Sequence, residues 1–110
     1  ELLPLKIEFL AHGTLPTCDL CGGIVKTATI SFGQPMPMHA MESADAAALA
    51  CDLFIAIGSS LQVFPAASLP QVAKNAGAKL AIINNESTNL DVLCDLVIHA
   101  QIGPTLSAVI

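Results

Sequence analysis

Residues 53–57, Leu-Phe-Ile-Ala-Ile, form an uninterrupted apolar run that ends in Gly58, Ser59 and Ser60 and is followed by Pro65. Five residues is the length of a strand rather than of a helix. Gly58 turns the chain, two hydroxyls follow, and Pro65 restarts it as a helix. A strand apolar along its whole length must be covered on both faces, which is the condition of a parallel sheet flanked by helices. The composition agrees: 54% of the 110 residues are hydrophobic but only 4% are aromatic, so small and branched aliphatics build the interior. A buried strand ending in Gly-Ser-Ser is also a place where backbone amides can meet a phosphate-bearing ligand.

The other elements are read around that strand. Glu1 to Ala11 reads as a helix that stops at Gly13. Thr27 to Phe32 alternates and predicts a strand, followed by an extended loop at Gly33-Gln34-Pro35-Met36-Pro37. Helices are expected over Met38–Ala50 and Ala66–Asn75, with Pro70 in the early turns of the second. Strands are expected over Lys79–Ile83 and Leu96–Ile98, and a closing helix over Gly103–Ile110. The apolar start and the short last helix lead us to expect further chain on either side. Strands alternating with helices over short connections imply right-handed crossovers. The fold class expected is α/β, Rossmann-like, a mostly parallel sheet with flanking helices. Ligands bind such sheets at the C-terminal strand ends, where the polar clusters Ser31–Gln34, Gly58–Ser60 and Asn84–Glu86 are expected. There is no GxGxxG.

Cys18 and Cys21 are two residues apart and are followed by Gly22 and Gly23, which allow the backbone to curl so that its amides face the sulfurs. This spacing suits a zinc knuckle and supplies two of the four ligands of a structural zinc. It also suits a redox pair or two unrelated thiols. Nothing else suggests a secreted disulfide scaffold, so a reducing cytoplasm is expected, or the nucleus in a eukaryote. Four lysines carry all the positive charge of a chain with net charge −5, which argues against nucleic acid as a direct partner. The uncharged stretch 53–72 is broken by Gly58-Ser59-Ser60, Pro65 and Pro70, which argues against a membrane span. His12 reads as a surface residue near a helix end; the alternative is that it joins Cys18 and Cys21 on a metal. His39 and His99 have no acidic or cysteine partner nearby in the sequence and read as structural or surface residues.

Five segments in order resemble the sirtuin family of NAD-dependent protein deacylases. Cys18-Asp19-Leu20-Cys21-Gly22-Gly23 is similar to the second half of the sirtuin zinc module. Ile30-Ser31-Phe32-Gly33-Gln34-Pro35-Met36-Pro37 resembles its V-x-F-G-E-x-x-P segment. Gly58-Ser59-Ser60-Leu61-Gln62-Val63-Phe64-Pro65 resembles G-T/S-S-L-x-V-x-P. Ile83-Asn84-Asn85-Glu86-Ser87-Thr88 resembles I-N-x-E-x-T, and Cys94-Asp95-Leu96-Val97-Ile98 resembles A-D-x-x-I. The resemblance implies a partial zinc-binding module over 1–26 and the C-terminal part of a Rossmann-like NAD-binding domain over 27–110.

By resemblance, Gly58, Ser59 and Ser60 would cradle the NAD phosphates and a ribose. Asn84 and Glu86 would hold the adenosine ribose, Asn85 would approach through its backbone, and Ile102 would lie at the adenine. Ile30, Phe32, Gly33 and Gln34 would line the groove for the acylated lysine of a protein substrate, and Cys18 and Cys21 would bind zinc. The family's G-A-G-x-S segment, catalytic-histidine segment and first cysteine pair have no counterpart here. The expectation is therefore half of a site for NAD and acyl-lysine, inactive by itself and with no catalytic residue of its own. It would be completed by a missing N-terminal segment or would self-associate. The alternatives are a non-catalytic nucleotide- or peptide-binding module of the same fold, and a different doubly wound domain such as the cofactor-binding domain of thiamine-diphosphate enzymes.

Overall fold

The structure, a computed structural model, describes residues 2–109. The chain divides into two compact units, Glu1–Pro35 and Met36–Ile110. The first contains one helix, α1 (Leu2–His12), whose end is closed by the Gly13 N–H donating to the Phe9 carbonyl at 2.8 Å. Beyond it a single antiparallel bridge joins Thr17 to Ile24. Leu5, Phe9, Leu15, Pro16 and Val25 surround an apolar hollow of about 280 Å³.

The expected strand over Thr27–Phe32 is not formed. The Lys26 ammonium donates to the carbonyls of Thr27 and Thr29 at 3.1 and 3.2 Å, and the Thr27 hydroxyl donates to the Thr29 hydroxyl. The segment's polar groups are satisfied locally, and among the described residues it pairs with no strand.

The second unit runs α2 (Met38–Ala50), β1 (Leu53–Ile57), a 3-10 turn over Ala66–Ser68, α3 (Leu69–Asn75), β2 (Lys79–Ile83), a 3-10 turn over Asp91–Leu93, β3 (Leu96–Ile98) and α4 (Ile102–Ser107). The single helix expected over Ala66–Asn75 is split in two. Pro70 lies in the first two positions of α3, where its missing N–H costs nothing, so the α-ladder begins there and the preceding turn tightens. The closing helix starts one residue before the expected Gly103; Ile110, like Glu1, lies outside the described residues.

The sheet is three-stranded and parallel in the order β1-β2-β3. Central β2 is the most buried strand, with Leu80 and Ile82 fully enclosed. Against one face lie Ala48 of α2, Ala73 of α3 and Ala78, packed with Phe54, Leu69 and Val72. Alanine at these three positions lets helices and strands approach closely. Leu53, Ile55 and Ile57, which alternate along β1, and Leu96 of β3 remain exposed. Among the described residues, no helix is long and apolar enough to cross a membrane.

Asp95 fastens β3 to the rest. Its carboxylate accepts from Lys74 of α3 at 2.6 Å, from Lys79 at 3.2 Å and from the Leu80 N–H at 2.8 Å, while its own N–H donates to the Leu80 carbonyl. The Lys74 hydrogen bond, the Leu80 amide and Lys79 hold this carboxyl well below the usual carboxylate range against an opposing desolvation. The native state therefore binds this proton less readily than the unfolded chain. The stability Asp95 contributes is complete above the unfolded value of about 3.9 and is lost as pH falls through the native one. Asp95→Asn is expected to lower the urea midpoint at pH 7, and the gap to wild type should narrow below about pH 4. A gap that stays constant with pH would contradict this role.

Candidate functional site

The loop after β1 gathers the ends of three segments. Gly58 has φ +65°, and its N–H donates to the Ile83 carbonyl at the end of β2 at 2.8 Å. A Cβ at Gly58 would lie 2.5 Å from Cδ1 of Ile102, the first residue of α4. Both the backbone conformation and the close approach call for glycine. Two residues expected to share a site, far apart in the chain, are thus in contact. Ser59 and Ser60 are exposed beside them and help to line a hollow of about 180 Å³ that continues to Ala67. The Ser59 hydroxyl accepts from the Leu61 N–H at 3.2 Å, and Leu61 has φ +55°. A left-handed leucine costs about 1–2 kcal/mol, a strain of the kind that collects at binding loops.

Asn84, Asn85 and Glu86 follow β2 directly. The Asn84 N–H donates to the Ile98 carbonyl at 3.1 Å, which ties the loop to the end of β3. The Asn84 side-chain amide donates to the Glu86 carbonyl at 2.8 Å, and this curls the loop and leaves the Oδ1 acceptor uncommitted by that bond. Farther along, Asp91 accepts from the Thr88 hydroxyl at 2.7 Å and pairs with His99 Nε2 at 2.9 Å. The Thr88 hydrogen bond first, and His99 after it, lower the Asp91 carboxyl, with desolvation opposing. Cys94 donates to the Leu90 carbonyl; burial and then the Asp91 charge push its thiol up, away from the reactive thiolate form.

The remaining candidates lie in the first unit. Ser31–Gln34 forms a turn in place of the expected strand end. The Gln34 N–H donates to the Ser31 carbonyl at 3.0 Å, and Gln34 Oε1 accepts from the Ser31 N–H at 2.8 Å. This double clasp presents Phe32, 93% exposed, at the tip, with Gly33 beside it and Ile30 exposed just ahead. Cys18–Gly23 is a tight knuckle: the Gly22 N–H donates to the Cys18 carbonyl and the Cys18 N–H to the Gly23 carbonyl, both at 2.8 Å. The backbone amides of Cys21 and Leu20 and the Cys21 side chain draw the Cys18 thiol down. Among the described residues no three His, Cys, Asp or Glu side chains form a metal-binding group, so the idea that His12 completes a set with the two cysteines is not supported.

A sequence model of the Sir2 family matches residues 6–65. The chain belongs to the Sir2 family. It is 60% identical over 91 residues to "NAD-dependent protein deacetylase 1" of Bradyrhizobium diazoefficiens, covering 83% of this chain and 36% of that protein. It is 55% identical over 106 residues to "NAD-dependent protein deacetylase" of Rhodopseudomonas palustris, covering 96% and 42%. Among solved structures it resembles "Sir2-p53 peptide-NAD+" with a TM-score of 0.85 and 31% identity, over 94% of this chain and 43% of that one. This Sir2 chain therefore spans roughly two-fifths of the length of these relatives.

Sequence reasoning missed several residues of this Sir2 chain. His99 reads from the sequence as lacking an acidic partner, although Asp95 stands four positions before it; a 3-10 turn and a short strand bring Asp91, eight positions earlier, to its ring. Thr88 stands at the end of the I-N-x-E-x-T segment without an evident task until Asp91 is placed beside it. The strain at Leu61 carries no sequence signal, because leucine rarely adopts positive φ. His39 does read correctly as a surface residue: it is exposed, and its ring and carbonyl both meet the Ser43 hydroxyl, one turn later.

Proposed function

We propose that this chain is the C-terminal portion of an NAD-dependent protein lysine deacylase and carries one wall of its NAD site. The observation that carries this reading is the packing of Ile102 against Gly58, next to the hydrogen bond from Gly58 to Ile83. Together they gather the Gly58–Ser60 loop, the start of Asn84–Glu86 and the start of α4 at one end of the sheet. Backbone amides and the hydroxyls of Ser59 and Ser60 suit anionic phosphates in a chain of net charge −5 that has few cations to offer. Asn84 Oδ1 and the Glu86 carboxylate are acceptors for ribose hydroxyls, Asn85 contributes backbone, and Ile102 offers an apolar surface to the adenine. NAD, when bound, supplies the ribose that receives the acyl group.

In the first unit, Phe32 and Gly33, held by the Gln34 clasp, and Ile30 form the contact for the acyl-lysine peptide. Cys18 and Cys21 fit half of a structural zinc site. Their knuckle is tightly closed, and Gly22 adopts φ +69°, which a side chain would strain. Zinc would cross-link this knuckle to two further ligands. The exposed apolar residues of β1 and β3 take a further segment of the protein or a second copy.

Three measurements on one preparation test this reading. Calorimetric titration should show NAD binding. Incubation with NAD and an acetyl-lysine peptide should release no nicotinamide above background. Elemental analysis should find zinc that Cys18→Ser removes. Absence of NAD binding would refute the site, nicotinamide release would refute the inactivity, and a metal-free wild type would refute the knuckle.

A further inference from the structure

We infer that His99, acting through Asp91, is the positioning residue that sets the conformation of the loop from Asn84 to Leu90. The inference rests on the reading of that loop as the ribose-binding wall. Two neighbouring residues at the end of β3 hold the two ends of the loop. The Ile98 carbonyl accepts from the Asn84 N–H at 3.1 Å, and His99 Nε2 lies 2.9 Å from Asp91 Oδ2. The other Asp91 oxygen takes the Thr88 hydroxyl at 2.7 Å. That hydroxyl also accepts from the Leu90 N–H at 3.3 Å, and the Thr88 carbonyl accepts from the Asp91 N–H at 3.2 Å. The Asp91 side chain is 18% exposed and that of His99 is 46% exposed, so the carboxylate is fixed mainly by these two partners.

The span between the two fixed points carries Asn84, Asn85 and Glu86. Among the described residues, the stretch 84–87 is held internally by one hydrogen bond, from the Asn84 side chain to the Glu86 carbonyl. A loop pinned at one end only would sample alternatives, and a ligand that selects one of them binds more weakly by the population lost. His99 is also three residues from Ile102, which packs on Gly58. The same short connection therefore sets the loop on one side and the Gly58 contact on the other. His99 touches no candidate ligand-binding residue among its hydrogen bonds, so its role is positioning and not catalysis.

The test uses the 110-residue chain and three proteins: wild type, His99→Leu and His99→Gln. Leucine fills the space without a donor, whereas glutamine retains a side-chain N–H for Asp91. Amide exchange without ligand should accelerate at Leu90 and Asp91 in His99→Leu by about tenfold and return to near wild type in His99→Gln. NAD affinity by calorimetry should fall about fivefold in His99→Leu and recover to within about twofold in His99→Gln. A His99→Leu protein with wild-type exchange in the loop overturns the clamp. Accelerated exchange with unchanged NAD affinity overturns its role in binding. If wild type binds no NAD, the underlying site reading fails, and the ligand-free exchange still decides whether the clamp exists.

Discussion

Replacing Leu80 by alanine is expected to lower the unfolding free energy by about 2–5 kcal/mol, a large part of a whole-domain stability of about 5–15 kcal/mol. Leu80 is fully buried in the central strand, flanked by β1 and β3. Its backbone also exchanges hydrogen bonds with Asp95. A cavity here removes side-chain contacts at the point where β3 is fastened, and the surrounding backbone, held on both sides, cannot collapse to fill it. Urea unfolding of the whole chain followed by circular dichroism measures the loss. Leu53→Ala on exposed β1 is the comparison and should cost much less. Equal losses at the two positions would show that β2 is not the centre of the core.

The second large effect concerns the site. Gly58→Val is expected to weaken NAD binding by about tenfold or more. A side chain at φ +65° costs about 1–2 kcal/mol in backbone strain alone. Its Cβ would also displace the Ile102 side chain, from which it would stand only 2.5 Å away. The loop and Ile102 would move together. Gly103→Ala is the control. Gly103 has open space at its Cβ position and no positive φ, so affinity there should stay within about twofold of wild type, since alanine favours the helix it occupies. Similar losses at Gly58 and Gly103 would mean that the Gly58–Ile102 contact does not shape the site.

Much of the second unit is legible in the sequence because its strands are short apolar runs with polar or glycine boundaries. Leu53–Ile57, Lys79–Ile83 and Leu96–Ile98 form strands at the expected limits, since the apolar runs end at polar residues or glycine: Asp52 and Gly58, Lys79 and Asn84, Asp95 and His99. The helix over Met38–Ala50 is equally plain, with Pro37 before it and alanine throughout. The reading fails where local hydrogen bonds compete with sheet pairing. Thr27–Phe32 has the alternation of a strand, but alternation states only which side chains share a face, not whether a partner strand exists. The Lys26 ammonium satisfies two of its carbonyls, and the clasp at Gln34 turns the chain back. Similarly, the polar cluster 84–86 is visible as a strand-end loop, whereas the residues that hold it are not. Asp91 and His99 meet only because β3 runs parallel to β2 and returns His99 to the level of the loop. Asp95 is recognisable as the acid of a family motif, but its three partners come from α3 and β2.

The proposal that Gly58–Ser60, Asn84–Glu86 and Ile102 form one NAD-binding wall is tested most directly by nuclear magnetic resonance. Backbone amides of the isotopically labelled chain would be followed during titration with NAD. The account predicts saturable shifts at Gly58, Ser59, Ser60, Asn84, Asn85, Glu86 and Ile102 that fit one dissociation constant. Shifts confined to one of these segments, or none at NAD concentrations in the millimolar range that detects even weak binding, would contradict it.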